Sequence, residues 1–207
     1  MENILDLYNV SRETVDELKK YEALVLEWNN KFNLISKSSI PYIWERHILD
    51  SLQLCQFIKE IDGVMCDFGS GAGFPAIVLS IISKQMFPNL KIYLIESISK
   101  KAMFLNTVKQ ELNLNIEVIN DRIENIKIPN VDIISSRAMA SLDKLVEYSK
   151  PFCGKNTRLV FPKGSKYKEE LDIVQKKWLF DLDIIQSKTD ESGKILYIRN
   201  LRRKRNG

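Results

Sequence analysis

The sequence predicts an α/β protein built on a mostly parallel sheet with helices on both faces. Three observations predict it. A short apolar run, 64–68, ends in glycines at alternate positions, Gly69, Gly71 and Gly73, and then enters an apolar helical segment, the opening of a βαβ unit. Beyond it, runs rich in Ile, Val and Leu alternate with segments of helical periodicity, which implies parallel strands joined by crossover helices. Two final runs, 179–186 and 194–201, are separated by Lys-Thr-Asp-Glu-Ser-Gly and read as a hairpin at the sheet edge.

The elements follow in order. Residues 11–30 carry Val15, Leu18, Tyr21, Val25 and Trp28 at spacings of three and four, one face of an amphipathic helix, with Ser11 as its N-cap. Residues 31–36 are a connection. Pro41 suits the first turn of a second helix, with Ile48, Leu52, Cys55 and Ile58 on one face. Gly63 marks the boundary with the first strand, so residues 1–60 are expected to form a helical extension of the α/β domain at 61–207, the two making one structural unit. Parallel strands are expected at 64–68, 91–95, 116–119, 131–135 and 157–161, and helices at 74–83, 98–112 and 141–149. With the hairpin the sheet has seven strands.

Composition narrows the class. The chain has 207 residues, 44% hydrophobic and 28% charged, enough to bury a sizeable core. No apolar run approaches the ~20 residues that span a bilayer, and no basic segment leads into an apolar one near the start, so neither membrane insertion nor a signal peptide is expected. Cys55, Cys66 and Cys153 are odd in number, widely spaced and in apolar surroundings, which suits reduced thiols of a cytoplasmic protein. One histidine and no Cys-x-x-Cys argue against a bound metal. The net charge of +4 is mild but uneven: Arg199, Arg202, Arg203, Lys204 and Arg205 crowd into the last nine residues. Such a tail reads either as a contact to phosphate or as a solvated terminus.

The glycine loop is the first candidate site. Glycine accepts φ > 0 and lets a ligand lie against bare backbone, and ligands of open α/β sheets bind outside the carboxyl ends of the strands. A dinucleotide fingerprint would need Gly at 74, where this chain has Phe74. A P-loop would need Gly-Lys-Ser/Thr, and a nucleophile elbow would need Ser at 71; neither is present. The remaining pattern, Asp-x-Gly-x-Gly-x-Gly from Asp67, resembles the nucleoside-binding loop of methyltransferases that use S-adenosylmethionine (AdoMet). Glu96, at the end of the second strand, is placed to accept hydrogen bonds from a ribose diol; its bland alternative is an acid favoured by a helix N-terminus. After the third strand, Ile123 offers an apolar face, and the Ile123–Glu124 backbone a polar edge, for an adenine ring. Arg137 ends the fourth strand, where it meets either an anion or solvent.

Taken together, Asn33-Leu34, Arg46-His47-Ile48-Leu49-Asp50-Ser51, Asp67 to Pro75, Glu96 with Lys100-Lys101 and Phe104-Leu105, Arg122-x-Glu124, Ser136-Arg137-Ala138 and Lys163-Gly164 resemble the successive signatures of the bacterial RsmG (GidB) family, which methylates guanine N7 in 16S ribosomal RNA. The resemblance covers nearly the whole chain. It implies a Rossmann-like methyltransferase fold, AdoMet as cofactor, and cofactor contacts from Gly69, Phe74, Ile123, Glu124 and Arg137. It implies 16S ribosomal RNA or the small subunit as partner, with the protein taken as a monomer. Arg46, His47, Lys163, Arg202 and Arg203 are the candidate RNA contacts, although Arg46 and Asp50 also suit a local ion pair and His47 a capping or core role. Guanine N7 brings its own lone pair, so no catalytic base is assigned. The alternatives are a methyltransferase for a small molecule or protein, and a non-catalytic AdoMet- or RNA-binding module.

Overall fold

In the computed structural model, which describes residues 9–58 and 63–204, β1 (Val64–Phe68) lies inside a seven-stranded sheet, third from one edge, as suits a mostly apolar strand buried on both faces. The other strands are β2 (Lys91–Ile95), β3 (Ile116–Ile119), β4 (Val131–Ser135), β5 (Cys153–Lys163), β6 (Trp178–Gln186) and β7 (Lys194–Arg203), in the order β3-β2-β1-β4-β5-β7-β6. The first five run parallel; β7 is antiparallel to both β5 and β6. The chain moves outward from β1 to β3, then returns to place β4 on the other side of β1. That reversal opens a crevice at the carboxyl ends of β1 and β4, the switch point where open sheets bind ligands.

Successive strand residues point to opposite faces, and each face has its own core. Met65, Ile92, Leu94, Ile133 and Val160 pack under α1 (Arg12–Asn29), α2 (Ala76–Met86) and α3 (Ser99–Glu111). Cys66, Phe68, Ile134, Leu159 and Phe161 pack under α4 (Leu142–Ser149) and α5 (Tyr167–Lys177). α1 begins where expected, with the Ser11 hydroxyl accepting from the Thr14 N–H, and buries Leu18, Tyr21 and Val25. Its Trp28 ring lies 5.5 Å from Phe104 of α3, and the buried Tyr21 hydroxyl donates to the Ala72 carbonyl in the glycine loop at 2.6 Å. The N-terminal segment is therefore part of the wall of the switch-point crevice.

Four expectations need correction. The second helix is not continuous: residues 37–58 form a 3₁₀ turn (Lys37–Tyr42) with Pro41 inside it, a π-helical turn (Trp44–Leu49), and the short turns Asp50–Leu52 and Cys55–Ile58. Ile48, Leu52, Cys55 and Ile58 are nonetheless all buried, so the apolar pattern marked the core face but not the break. α5 was not expected, because only Leu171 and Val174 of it are buried and the rest reads as a solvated charged stretch. β5 exceeds the expected 157–161 at both ends. The basic tail is no tail: Arg199, Arg202 and Arg203 belong to β7, Arg199 pairs with Asp183 at 2.7 Å, and the Arg203 guanidinium lies over the Trp178 ring at 5.7 Å. Arg205 and the 60/61 boundary lie outside the described residues.

Tyr21→Phe removes the hydrogen bond to Ala72 without removing the ring. The expected cost is about 1–3 kcal/mol of unfolding free energy, the scale of a buried carbonyl left without its donor. Urea denaturation with an unchanged m-value checks it; an unaltered midpoint would show that the bond contributes nothing.

Candidate functional site

The loop after β1 takes positive φ at all three glycines, +65°, +58° and +93° at Gly69, Gly71 and Gly73. Two reasons keep these positions glycine. A Cβ on Gly69 would lie 2.5 Å from Met139 Cγ, and one on Gly73 only 2.4 Å from Ile77 Cγ1. At Gly71 the nearest atom to a Cβ is the Gly69 carbonyl oxygen, 3.8 Å away. Gly69 and Gly73 let neighbours close on the loop, whereas Gly71 leaves bare backbone facing open space.

The end of β2 holds this loop. The N–H groups of Gly69 and Ser70 donate to the Ile95 carbonyl at 2.9 and 3.1 Å. Glu96, only 5% exposed, accepts from the Gly71 N–H through Oε2 and from the Ile98 N–H through Oε1, each at 2.8 Å. Asn120 Nδ2 donates to the Glu96 carbonyl at 2.8 Å and draws the end of β3 alongside.

Two cavities meet at Gly69. The larger, about 930 Å³, is floored by Gly69–Ala72 and Phe74, walled by Arg46, His47, Asp50 and Arg137, and rimmed by Lys101 and the hairpin loop Thr189–Ser192. The smaller, about 370 Å³, lies among Ile95, Asp121, Ile123, Glu124 and Met139. Met139, folded onto Gly69, lines the smaller cavity.

Arg137 is the best-anchored cation of the site. Its Nη1 donates to the Arg46 carbonyl (2.9 Å) and to Asp50 Oδ2 (3.3 Å), its Nη2 lies 2.7 Å from His47 Nδ1, and its guanidinium sits over the Phe74 ring at 5.2 Å. The local Arg46–Asp50 pair is therefore corrected: Asp50 pairs with Arg137, and Arg46 contributes its carbonyl. Burial, reinforced by Arg137 and Arg46, holds the His47 imidazole down at about 4, so it is neutral at pH 7. Asp67, at the root of the loop, is fully buried; Oδ1 accepts from the Ser135 hydroxyl at 2.5 Å, Oδ2 has no partner among the described residues, and burial pushes the carboxyl up to about 7.

Gly69, Gly71, Phe74, Arg46, His47 and Arg137 thus come together on the larger cavity, and Ile123 and Glu124 on the smaller. Gly73 packs behind the loop and Glu96 beneath it. Lys163 is not available as a free cation: its side chain is 10% exposed, with Nζ bound to Glu170 (2.8 Å) and to the Ala140 carbonyl (3.0 Å), which ties the loop after β4 to α5. Arg202 and Arg203 sit at the opposite end of the sheet, beside the start of β5, whose eleven residues span about 35 Å at ~3.3 Å each. Sequence reasoning missed Met139 and the loop Thr189–Ser192, since a lone Met and a polar turn carry no signal of a site.

An AdoMet-sized ligand fits what is present: bare backbone at Gly71 over a roomy cavity, an apolar slot at Ile123, and a guanidinium with unused N–H groups. Five parallel strands with an antiparallel seventh strand, and a glycine loop at the switch point, define an AdoMet-dependent methyltransferase of Rossmann-like fold. The fold is shared with a SAM-dependent methyltransferase from Aquifex aeolicus (TM-score 0.60, 18% identity, 76% of this chain and 92% of that one) and an O-methyltransferase from Bacillus cereus solved with SAH (0.58, 14%, 87% and 91%). The chain belongs to the family described as rRNA small subunit methyltransferase G (GidB), which it matches over residues 14–197. Relatives named ribosomal RNA small subunit methyltransferase G include those of Ruegeria sp. (37% identical, 94% of this chain and 95% of theirs) and Orientia tsutsugamushi strain Boryong (41%, 93% of each). Among the described residues no helix is long and apolar enough to cross a membrane.

Two expectations follow. Gly69→Ala should abolish measurable AdoMet binding by calorimetry, and adding Met139→Ala should restore part of it by removing the clash; equal loss in single and double variants would leave only backbone strain as the cause. The second concerns pH. Asp67 titrates higher in the folded chain, at about 7, than its ordinary 3.8, so its contribution to stability is full below pH 3.8 and lost as pH rises through 7. His47, held at about 4 against 6.5, runs the other way: its contribution is full above pH 6.5 and lost as pH falls through 4. Asp67→Asn should therefore gain stability relative to wild type between pH 4 and pH 7. A pH-independent difference between the two unfolding curves would contradict a buried, hard-to-ionise Asp67.

Proposed function

We infer that this protein transfers a methyl group from AdoMet to N7 of a guanine in the 16S ribosomal RNA of the small subunit. The observation that carries the reading is the family match over residues 14–197 together with a glycine loop left bare at Gly71. Bound AdoMet supplies an electrophilic methyl group on a sulfonium. Gly69 and Gly71 offer backbone for it to lie against, Phe74 an apolar surface, and Ile123 with the Glu124 backbone a slot for the adenine. Glu96 takes the ribose hydroxyls with acceptor capacity left over from Gly71 and Ile98. Arg137 takes the methionine carboxylate.

The residues leave little room for proton removal. His47 Nδ1 faces a guanidinium nitrogen, which only donates, so the imidazole lone pair is already engaged. Guanine N7 needs no base, because its lone pair points into the major-groove edge and is free to attack. Alignment and proximity then remain as the main catalytic contribution, of the order of 7–11 kcal/mol. Arg46 and Lys101 at the rim supply positive charge for RNA phosphate. We take the protein to be a cytoplasmic monomer in which residues 1–60 and 61–207 act as one unit.

The reading is tested by incubating purified protein and small subunits from cells lacking it with methyl-labelled AdoMet, then digesting the RNA to nucleosides. Label is expected in N7-methylguanosine from 16S RNA alone. Label at another atom, or only in protein or small molecules, would overturn it.

A further inference from the structure

A guanidinium carries five N–H hydrogens. Three of Arg137's face acceptors delivered by one π-helical turn and the residue after it: the Arg46 carbonyl, His47 Nδ1 and Asp50 Oδ2. The Nε–H and one Nη2–H have no protein partner among the described residues. Because a guanidinium never accepts, His47 Nδ1 must, and the ring proton is then on Nε2. That Nε2 is buried with no partner among the described residues. Among the described residues, then, the imidazole's polar contact is through Nδ1 alone, and its place in the fold has to be explained from that contact. The ring lies flat on Phe74, centroids 4.9 Å apart at 22°, and Arg137 covers the same ring, so Phe74 sets the plane of both.

Charge explains why the acceptor is an imidazole. Asp50 already supplies one negative charge to Arg137. A second carboxylate at position 47 would cancel the excess positive charge that Arg46 and Arg137 hold over Asp50 and weaken the pull on an anion; a cation there would repel Arg137. A neutral ring nitrogen orients the guanidinium and adds no charge. We propose that His47 is a positioning residue for the anionic end of the cofactor: it fixes Arg137 so that the two unused N–H groups meet the methionine carboxylate of AdoMet. The proposal rests on the assignment of Arg137 to that carboxylate, and it takes His47 off the list of RNA contacts.

His47 is the single histidine of the chain, so its ring ¹⁵N resonances in untagged protein are unambiguous. The neutral Nε2–H tautomer is expected at neutral pH; an imidazolium or the Nδ1–H tautomer would overturn the proposal. Calorimetry then compares S-adenosylhomocysteine, which has the carboxylate, with 5′-methylthioadenosine, which lacks it. His47→Phe keeps a flat ring on Phe74 without the acceptor and should weaken S-adenosylhomocysteine roughly tenfold, with 5′-methylthioadenosine unchanged. His47→Asn, whose Oδ1 stands where Nδ1 does, should retain most of the affinity. Equal loss for both ligands in His47→Phe, or no loss, sinks the positioning role. Arg137→Ala separates the two assignments. If it leaves the ratio of the two affinities at the wild-type value, Arg137 does not bind the carboxylate; if it changes the ratio while His47→Phe does not, only the role of His47 fails. Should His47→Phe not fold, the wild-type ¹⁵N spectrum and the His47→Asn affinities decide.

Discussion

A carboxylate buried beneath a glycine turn is the contact on which the site depends. Glu96 accepts from the Gly71 and Ile98 N–H groups at once, so one charged side chain fixes the turn after β1 to the turn after β2. Hydrogen bonds to an ionised acceptor are about twice as strong as neutral ones, and Glu96 is largely buried. Positive φ at three residues within five is a conformation the backbone would otherwise leave readily. Glu96 from below, and Gly73 packed against Ile77 from behind, keep it in place with the Gly71 face open.

The same turn is gripped from the other side by the N-terminal segment. Tyr21 reaches the Ala72 carbonyl, and the π-helical turn 44–49 together with Asp50 just after it aims three acceptors at Arg137. π-turns are rare and recur at functional sites because the extra residue per turn rotates side chains out of ordinary helical register. In this chain Ile48 stays on the core while His47 and the Arg46 carbonyl turn toward Arg137. Without that segment, Arg137 would stand unoriented at the end of β4.

This division also explains how much was legible in the sequence. Strands β1 to β4 have the bounds expected, because each is a short run rich in Ile, Val, Leu or Phe closed by turn residues, even at β3, which lies on the sheet edge and buries only Ile116 fully. The glycine spacing gave the class of ligand, and the motif Arg46 to Ser51 the family. What did not show is what depends on partners far away in sequence. Nothing local says that Gly69 is kept bare by Met139, that Lys163 is neutralised by Glu170, or that Asp50 pairs with a residue 87 positions away instead of with Arg46. The charged run at the C-terminus reads either as a phosphate contact or as a solvated terminus, because its arginines follow directly on the apolar residues that β7 buries, Leu196, Ile198 and Leu201.

The protonation pattern of the site limits what kind of acceptor it can serve. Asp50 Oδ1 accepts from Thr189 and Gln53 while Oδ2 faces Arg137; Glu96 holds two backbone N–H groups; Asp67 lies below the loop with its Oδ1 on Ser135. Asp190, at the solvent-exposed rim, is kept below the usual carboxylate range by hydrogen bonds from Ser192, which makes it a poorer base still. A hydroxyl or ammonium acceptor must lose a proton as it is methylated, and none of these groups is placed to take one. A ring nitrogen with a lone pair in the plane of the base needs no such help. The site therefore suits an acceptor that brings its own lone pair, and its alignment depends on how firmly Glu96 holds the Gly71 turn and His47 the Arg137 guanidinium.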